Sequence, residues 1–366
     1  MLLISICTIC ILLNMFYGST RQRKMLTPQG ETRIVTAKQA LIMFALILIV
    51  TSTLRYGFID TYAYKILYRA SRDNLDFVNN APWGVETGWL YLMYYLNFIS
   101  DSPKLMLFLV ALSVNVAYVL MSKKYSSNAL FSLFVYFCIG YMDTNNGLRQ
   151  CFAASITMMA FPLLLSKRYV WYALCVAFAS VFHESAIYVL AVALLVLGKP
   201  FNLKMIFALL AGVVFLFAPG AISGLIKESM IDSKYNDYLN YSNGMGFLRC
   251  FIISILPLTL AALYCVAKRG KKEKISYQDG VLINMLIMNS IFYLMGMHMQ
   301  YWARLAFYTS FAPIVLLPKL IDGVFARSDR QWLKPVALCM YFVFFAYNIY
   351  VNIAYGAMKS FRIEWF

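Results

Sequence analysis

Arg149 and Gln150 stand in the first turn of an apolar run, Leu148 to Leu165, that ends at Lys167-Arg168. The basic pair at the far end is an ordinary stop for a hydrophobic segment. The pair at the near end calls for another reason. Arginine carries a permanent charge and a planar fork of donors that matches phosphate oxygens. Other polar residues interrupt the apolar pattern at comparable points. Arg55 and Asp60 follow a run in "RYGFIDTYAY", Glu86 opens "VETGWLYL", and His183 lies at the tip of "SVFHESAIYVL". Arg249 starts one further run, and Arg304 opens another beside Tyr301. Two or three convergent arginines make a diphosphate clamp. Imidazole acts as a base near neutral pH, so His183 is the first candidate base and Glu86 the second. Asp60 and Gln150 are placed to orient an acceptor or the arginines. Trp83, Trp89, Tyr91, Tyr94, Tyr95, Tyr301 and Trp302 offer flat faces for sugar rings, although an interfacial aromatic belt is the ordinary use of such residues. The chemistry implied is transfer from a lipid-linked, phosphate-bearing glycan. Each arginine, taken alone, also fits a side chain snorkelling to phosphate headgroups.

What must position these residues is a membrane-embedded bundle. Of 366 residues, 62% are hydrophobic and 13% charged, against roughly 45–50% and about 25% in soluble domains. Continuous apolar runs of near-membrane length exclude an alternating β-barrel. The expected fold is an all-α, polytopic membrane protein with about twelve spans, in one domain over 1–366. The spans are placed near 1–17, 38–54, 104–121, 129–141, 148–165, 169–182, 186–198, 205–222, 248–267, 281–297, 304–318 and 335–352. Segment 87–99, short and rich in Trp and Tyr, reads as an interfacial or re-entrant helix. The first run has no basic leader and no cleavage site, so it is expected to be retained.

Charge distribution orients the bundle. Alternate loops from 18–37 to 319–334, with Lys38, hold 20 Lys+Arg and 5 Asp+Glu, leaving 12 and 11 for the other side. That asymmetry makes the first side cytoplasmic. It also accounts for the net +16 without nucleic acid, because "KRGKKEK" (Lys268 to Lys274) serves topology or anionic lipid. The charged candidates fall on the opposite, outer face. The eight cysteines lie in or beside apolar runs, where small buried side chains are expected. "HESAI" lacks the second histidine of a zinc helix, and no phosphate-binding glycine loop is present. No metal and no cofactor are expected.

The order of these elements resembles the EpsG family of bacterial exopolysaccharide polymerases, relatives of the Wzy-type repeat-unit polymerases. The resemblance rests on "RYGFIDTYAY", "ETGWLYLMYYLNFIS", "NNGLRQCFAASITMMA", "SVFHESAIYVL" and "ARLAFYTSFAPIVLLP", in that order. It implies a bacterial inner- or plasma-membrane enzyme. Such an enzyme transfers a growing glycan from undecaprenyl diphosphate to another lipid-linked oligosaccharide at the outer leaflet. A metal-independent reaction is expected here, with the arginines in the place of Mg²⁺. A flippase and a chain-length regulator are the implied protein partners, and membrane lipid the surroundings. Carried over by position, Arg149 and Gln150 fall on the family's RQ element, His183 on its histidine, and Arg304 on its late arginine. Glu86 and Asp60 fall on its acidic positions. An O-antigen ligase-type glycosyltransferase and a lipid or polysaccharide transporter are the alternatives.

Overall fold

The computed structural model describes residues 2–26, 32–80, 84–217, 246–298, 300–356, 358 and 361–363. The fold is almost entirely helical, as expected. Helix α1 covers Leu2–Thr20 and α2 covers Lys38–Leu54, separated by a two-stranded antiparallel ribbon, β1 (Arg23–Leu26) and β2 (Thr32–Val35). Three short helices follow: α3 (Thr61–Ala70), α4 (Leu75–Asn79) and α5 (Thr87–Asn97). The main bundle continues with α6 (Lys104–Tyr125), α7 (Ala129–Ile139), the one-turn α8 (Tyr141–Thr144), α9 (Leu148–Leu165) and α10 (Tyr169–Ser180). A 3-10 turn at Glu184–Ile187 leads into α11 (Tyr188–Val196) and then α12 (Leu203–Phe217). Helix α13 runs over Phe247–Gly270, and α14 over Tyr277–Gly296. The chain closes with α15 (Gln300–Leu305), α16 (Phe311–Val324) and α17 (Arg327–Ala354).

Within the described residues each of the twelve expected spans falls mainly on helix. Among the described residues six helices are long and apolar enough to cross a membrane, and α15–α16 makes a seventh if the bent pair is one span. The other five are apolar helices of 17 residues or fewer, below the roughly 20 that a straight crossing takes. Helix α5 has 11 residues, about 16 Å of rise, too short to cross. It packs with α3 and α4. Segment 55–86, which joins the second expected span to the interfacial helix, contains two helices, α3 and α4. Most of 223–247, between the expected spans 205–222 and 248–267, lies outside the described residues.

Helix α14 is the central pillar, with 94% of its apolar window buried against α11, α12, α13, α15 and α16. At the periphery, α17 buries only 17% of its window and exposes Trp332, Val336 and Val343, an apolar outside suited to lipid. Polar residues on the pillar satisfy backbone where neighbouring helices break. The chain turns by 70° between Trp302–Tyr308 and Phe311–Val324. There Asn289 Nδ2 donates to the Ala306 carbonyl at 3.1 Å and to Thr309 Oγ1 at 3.2 Å. The Ala306 carbonyl also accepts from the Thr309 N–H at 3.0 Å, so Asn289 adds a tie between the pillar and both sides of the bend. That bend fixes where Arg304 sits.

Candidate functional site

Three expected residues meet on one carboxylate. Arg149 Nη1 donates to Glu86 Oε2, and His183 Nδ1 lies 2.9 Å from Glu86 Oε1. The backbone N–H of Glu184 donates to the same Oε1 at 3.3 Å. The Glu86 side chain is only 8% exposed, so its charge is tolerated because cationic and N–H donors surround it. Burial pushes its carboxyl up, but the hydrogen bond from His183 and the charge of Arg149 outweigh that and hold it down at about 2.

Local sequence explains the convergence. Gly147 takes a left-handed conformation, φ 61°, at the turn from α8 into α9, where a glycine has no Cβ penalty. Arg149 and Gln150 then follow in the first turn of α9, about 100° apart around the axis, and so reach different neighbours. Gly88, on α5, packs directly against Val181 at the end of α10; a Cβ there would overlap the Val181 side chain and carbonyl. Glu86 and His183 each lie two residues from this contact, which sets α5 close enough for them to bond. Arg149 also lies over the Tyr64 ring, 5.9 Å from its centroid. Burial raises the Tyr64 phenol above its ordinary range, which keeps it neutral beside the guanidinium.

Gln150 faces the other way. Its Nε2 donates to the Arg304 carbonyl at 3.0 Å and lies 3.5 Å from Ser185 Oγ, which in turn bonds Tyr308 OH at 2.9 Å. This ties α9, the turn after His183, and the bent helix pair together. The half-buried Arg304 side chain shares the electrostatic surroundings of Cys151 with Asp143 and Arg55.

The remaining candidates occupy separate places. Arg55 is 1% exposed and donates to the carbonyls of Ser52 and Asn145, bracing the loop before α9. Its backbone bridges Ile363, so the chain's end is fastened nearby. Arg249 pairs with Asp143. Asp60 precedes α3 without a side-chain capping bond. Tyr301 is on α15, with its side chain outside the described part. Among the aromatics expected to face sugar, Trp89 is 0% exposed, packed edge-on to Tyr64 and Phe152. It is a core residue, since a fully covered ring presents no face to a ligand. Tyr95 is 60% exposed, and Tyr94 and Phe98 pack edge-on to one another beside it. Trp83 lies outside the described residues. His298, near Arg304 in sequence, is held by the Leu216 carbonyl at 2.6 Å.

Asp143 and Gly88 were not among the expected site residues. Asp143 stood in plain view before Arg149, but nothing in sequence spacing links it to Arg249. Nε of Arg55, Arg149 and Arg249 is buried in each case without an acceptor. Buried donors are rarely left so, and these three arginines lie at one end of the bundle. Among the described residues no three His, Cys, Asp or Glu side chains are grouped to hold a metal, and all eight cysteines are unpaired.

The depressed Glu86 carboxyl predicts a pH dependence. Its folded value, about 2, lies below the ordinary 4.5. Its ionised form therefore stabilises the fold fully above about pH 4.5, and that stabilisation is lost as pH falls from there towards 2. In detergent, E86Q should unfold at a lower temperature than the parent at pH 6, and the gap should narrow below pH 4.5. A gap unchanged down to pH 3 would contradict the assignment.

A polytopic helical membrane protein with a buried, arginine-rich charge array at one end is thus defined. The chain matches the EpsG family over residues 39–362 and belongs to it. Members of that family are Wzy-like polymerases, which gives the chain a polysaccharide polymerase role in a bacterial membrane. No curated protein and no solved structure matches the chain.

Proposed function

We propose that the protein is a repeat-unit polymerase that moves a growing glycan from undecaprenyl diphosphate to the terminal sugar of a second lipid-linked oligosaccharide. The reading rests on one observation: Arg149 and His183 share the Glu86 carboxylate. An anion-binding fork is thereby held beside a potential base. Arg149 and Arg304 bind the diphosphate, with Arg249 flanking them. Arg55, both of whose Nη atoms bond to carbonyls, braces the scaffold. The acceptor hydroxyl attacks the anomeric carbon of the donor as the carbon–oxygen bond to phosphate breaks. Electrons pass to the diphosphate, where fixed guanidinium donors stabilise the developing charge without a metal.

His183 takes the acceptor proton. Nδ1–H donating to Glu86 leaves Nε2 as the basic nitrogen. Glu86, held ionised, is a weak base and serves to orient both partners. Gln150 fixes the bent helix that carries Arg304, and Asp60 stays near Tyr64 on the acceptor side. The site faces the exterior or periplasm of the inner or plasma membrane, as the loop-charge asymmetry supports. A flippase that delivers lipid-linked units and a chain-length regulator are the corresponding partners.

The test is H183A in membranes supplied with lipid-linked repeat units. Polymer formation should fall about 100-fold at unchanged protein abundance. Near-normal turnover would remove His183 as the base.

A further inference from the structure

The opposite end of the bundle carries a second charged feature, unrelated to the glycan chemistry. Between α1 and α2 the chain folds back as the β1–β2 ribbon, with Arg23 opposite Val35 and Lys24 opposite Ile34. The ribbon is fastened to the turn between α6 and α7. The Ile34 N–H donates to the Ser127 carbonyl at 2.7 Å, and Ile34 bridges Asn128 in parallel. The Arg33 guanidinium donates to the Lys123 carbonyl. Fastened in this way, the ribbon walls an open cavity of about 860 Å³.

Five cationic residues line it: Arg21, Arg23, Arg33, Lys38 and Lys123. No Asp or Glu does, among the described residues. Cations gathered without a counter-charge repel one another, and a polyanion relieves that repulsion. Arg21 is steadied over the Tyr17 ring, 4.6 Å from its centroid. Thr36, also on the wall, is 7% exposed, and its buried Oγ1 has no hydrogen-bond partner. The cavity thus concentrates positive charge, with the Thr36 hydroxyl covered behind its wall.

Its place is fixed by α2. Lys38 opens that helix and lines the cavity; Arg55 follows its last residue and bonds to Asn145, just before α9. Seventeen residues rise roughly 25 Å, so cavity and Arg149 array lie at opposite ends of the bundle. The cavity sits among the helix ends: the last residue of α1, the first of α2 and α7, and the last turn of α6. That is the level of lipid headgroups. Four of the five cations precede residue 39, where the family match begins, so the site is largely separate from the segment shared with the polymerases.

We propose that this cavity binds a ligand bearing two or more phosphates. Five positive charges call for more than one phosphate group, and the volume is within the range of small-molecule sites, about 300–1,000 Å³. The same chemistry is offered by the headgroup of a two-phosphate phospholipid and by a soluble diphosphate. Basic pockets between helix ends take up such headgroups.

The experiment uses the full chain purified in detergent. Binding is followed by the shift in thermal unfolding midpoint on titration with cardiolipin, phosphatidylcholine or sodium pyrophosphate at constant ionic strength. Two variants test the cavity from different elements, R23Q/K38Q on its ribbon and α2 walls and K123Q on α6. K271Q/K272Q removes the same charge from the exposed basic loop outside it. The expected result is a stabilising shift with cardiolipin or pyrophosphate but not phosphatidylcholine. Its half-saturating concentration should rise at least tenfold in R23Q/K38Q, rise in K123Q, and stay put in K271Q/K272Q. A cardiolipin response alone assigns a membrane lipid, and a pyrophosphate response at or below millimolar concentration assigns a soluble ligand. No shift with either ligand, or an equal loss in K271Q/K272Q, overturns the site.

Discussion

Replacing Glu86 by glutamine is expected to lower polymer formation by roughly 1,000-fold or more, on the scale seen when an orienting carboxylate beside a catalytic imidazole is made neutral. Glutamine has nearly the shape of glutamate, so packing between α5 and α10 should survive. What changes is the pattern of donors and acceptors. In the native protein the two carboxylate oxygens accept from Arg149, from the Glu184 N–H and from the His183 ring. An amide retains one acceptor oxygen and turns a pair of N–H donors towards groups that are themselves donors. Arg149 then loses its anchor, and His183 loses the partner that directs its proton to Nδ1. Both functions fail together, which is why this single change is expected to exceed the loss of the base alone. The measurement is polymer yield and chain length in membranes containing lipid-linked repeat units, with abundance checked by immunoblot. Wild-type polymer at wild-type abundance would show that the shared carboxylate has no part in the reaction.

Arg149→Lys is the second large effect, about 100- to 1,000-fold in turnover. Lysine keeps the positive charge, so a purely electrostatic role for Arg149 would leave activity nearly intact. The guanidinium does more than carry charge. One nitrogen bonds Glu86 while Nε remains buried without an acceptor, and its central carbon lies 5.9 Å from the centre of the Tyr64 ring. A single ammonium cannot hold Glu86 and also present a planar fork to a phosphate. The loss should appear in turnover at saturating donor as well as in apparent affinity, because the fork is most useful when the leaving diphosphate gains charge. A variant with unchanged turnover and only weaker donor binding would reduce Arg149 to a docking residue.

Much of this architecture was readable from residue order. Continuous apolar runs mark helices in lipid, because no polar backbone group can be left unpaired there, and the described part of every expected span is mainly helical. How many of them cross was less legible. Segments such as Ala129–Ile139, of 11 residues, are apolar enough for a membrane but short, and apolarity alone does not separate a crossing from a buried half-helix. The ribbon at Arg23–Val35 was hidden because its two strands are only four residues each, too short to show an alternating pattern. The aromatic reading missed at Trp89 for a related reason. A tryptophan near a span end fits a sugar platform or a packed core equally well, and only the neighbours Tyr64 and Phe152 decide between them.

Residue type and position along the chain were enough to determine that this protein lives in a membrane and that its apolar runs are helices; the sorting of positive loops to one side and of the arginine, carboxylate and histidine cluster to the other was an expectation from the same residues. These are local properties, set by transfer free energies and charge. Which charge meets which was decided by tertiary structure alone. Glu86 lies 63 residues from Arg149 and 97 from His183, and Arg249 lies 106 from Asp143. Pairing over such separations follows from helix packing, from the absence of a side chain at Gly88, and from a bend stabilised by Asn289. No spacing rule along the chain encodes contacts that exist only once the helices have come together.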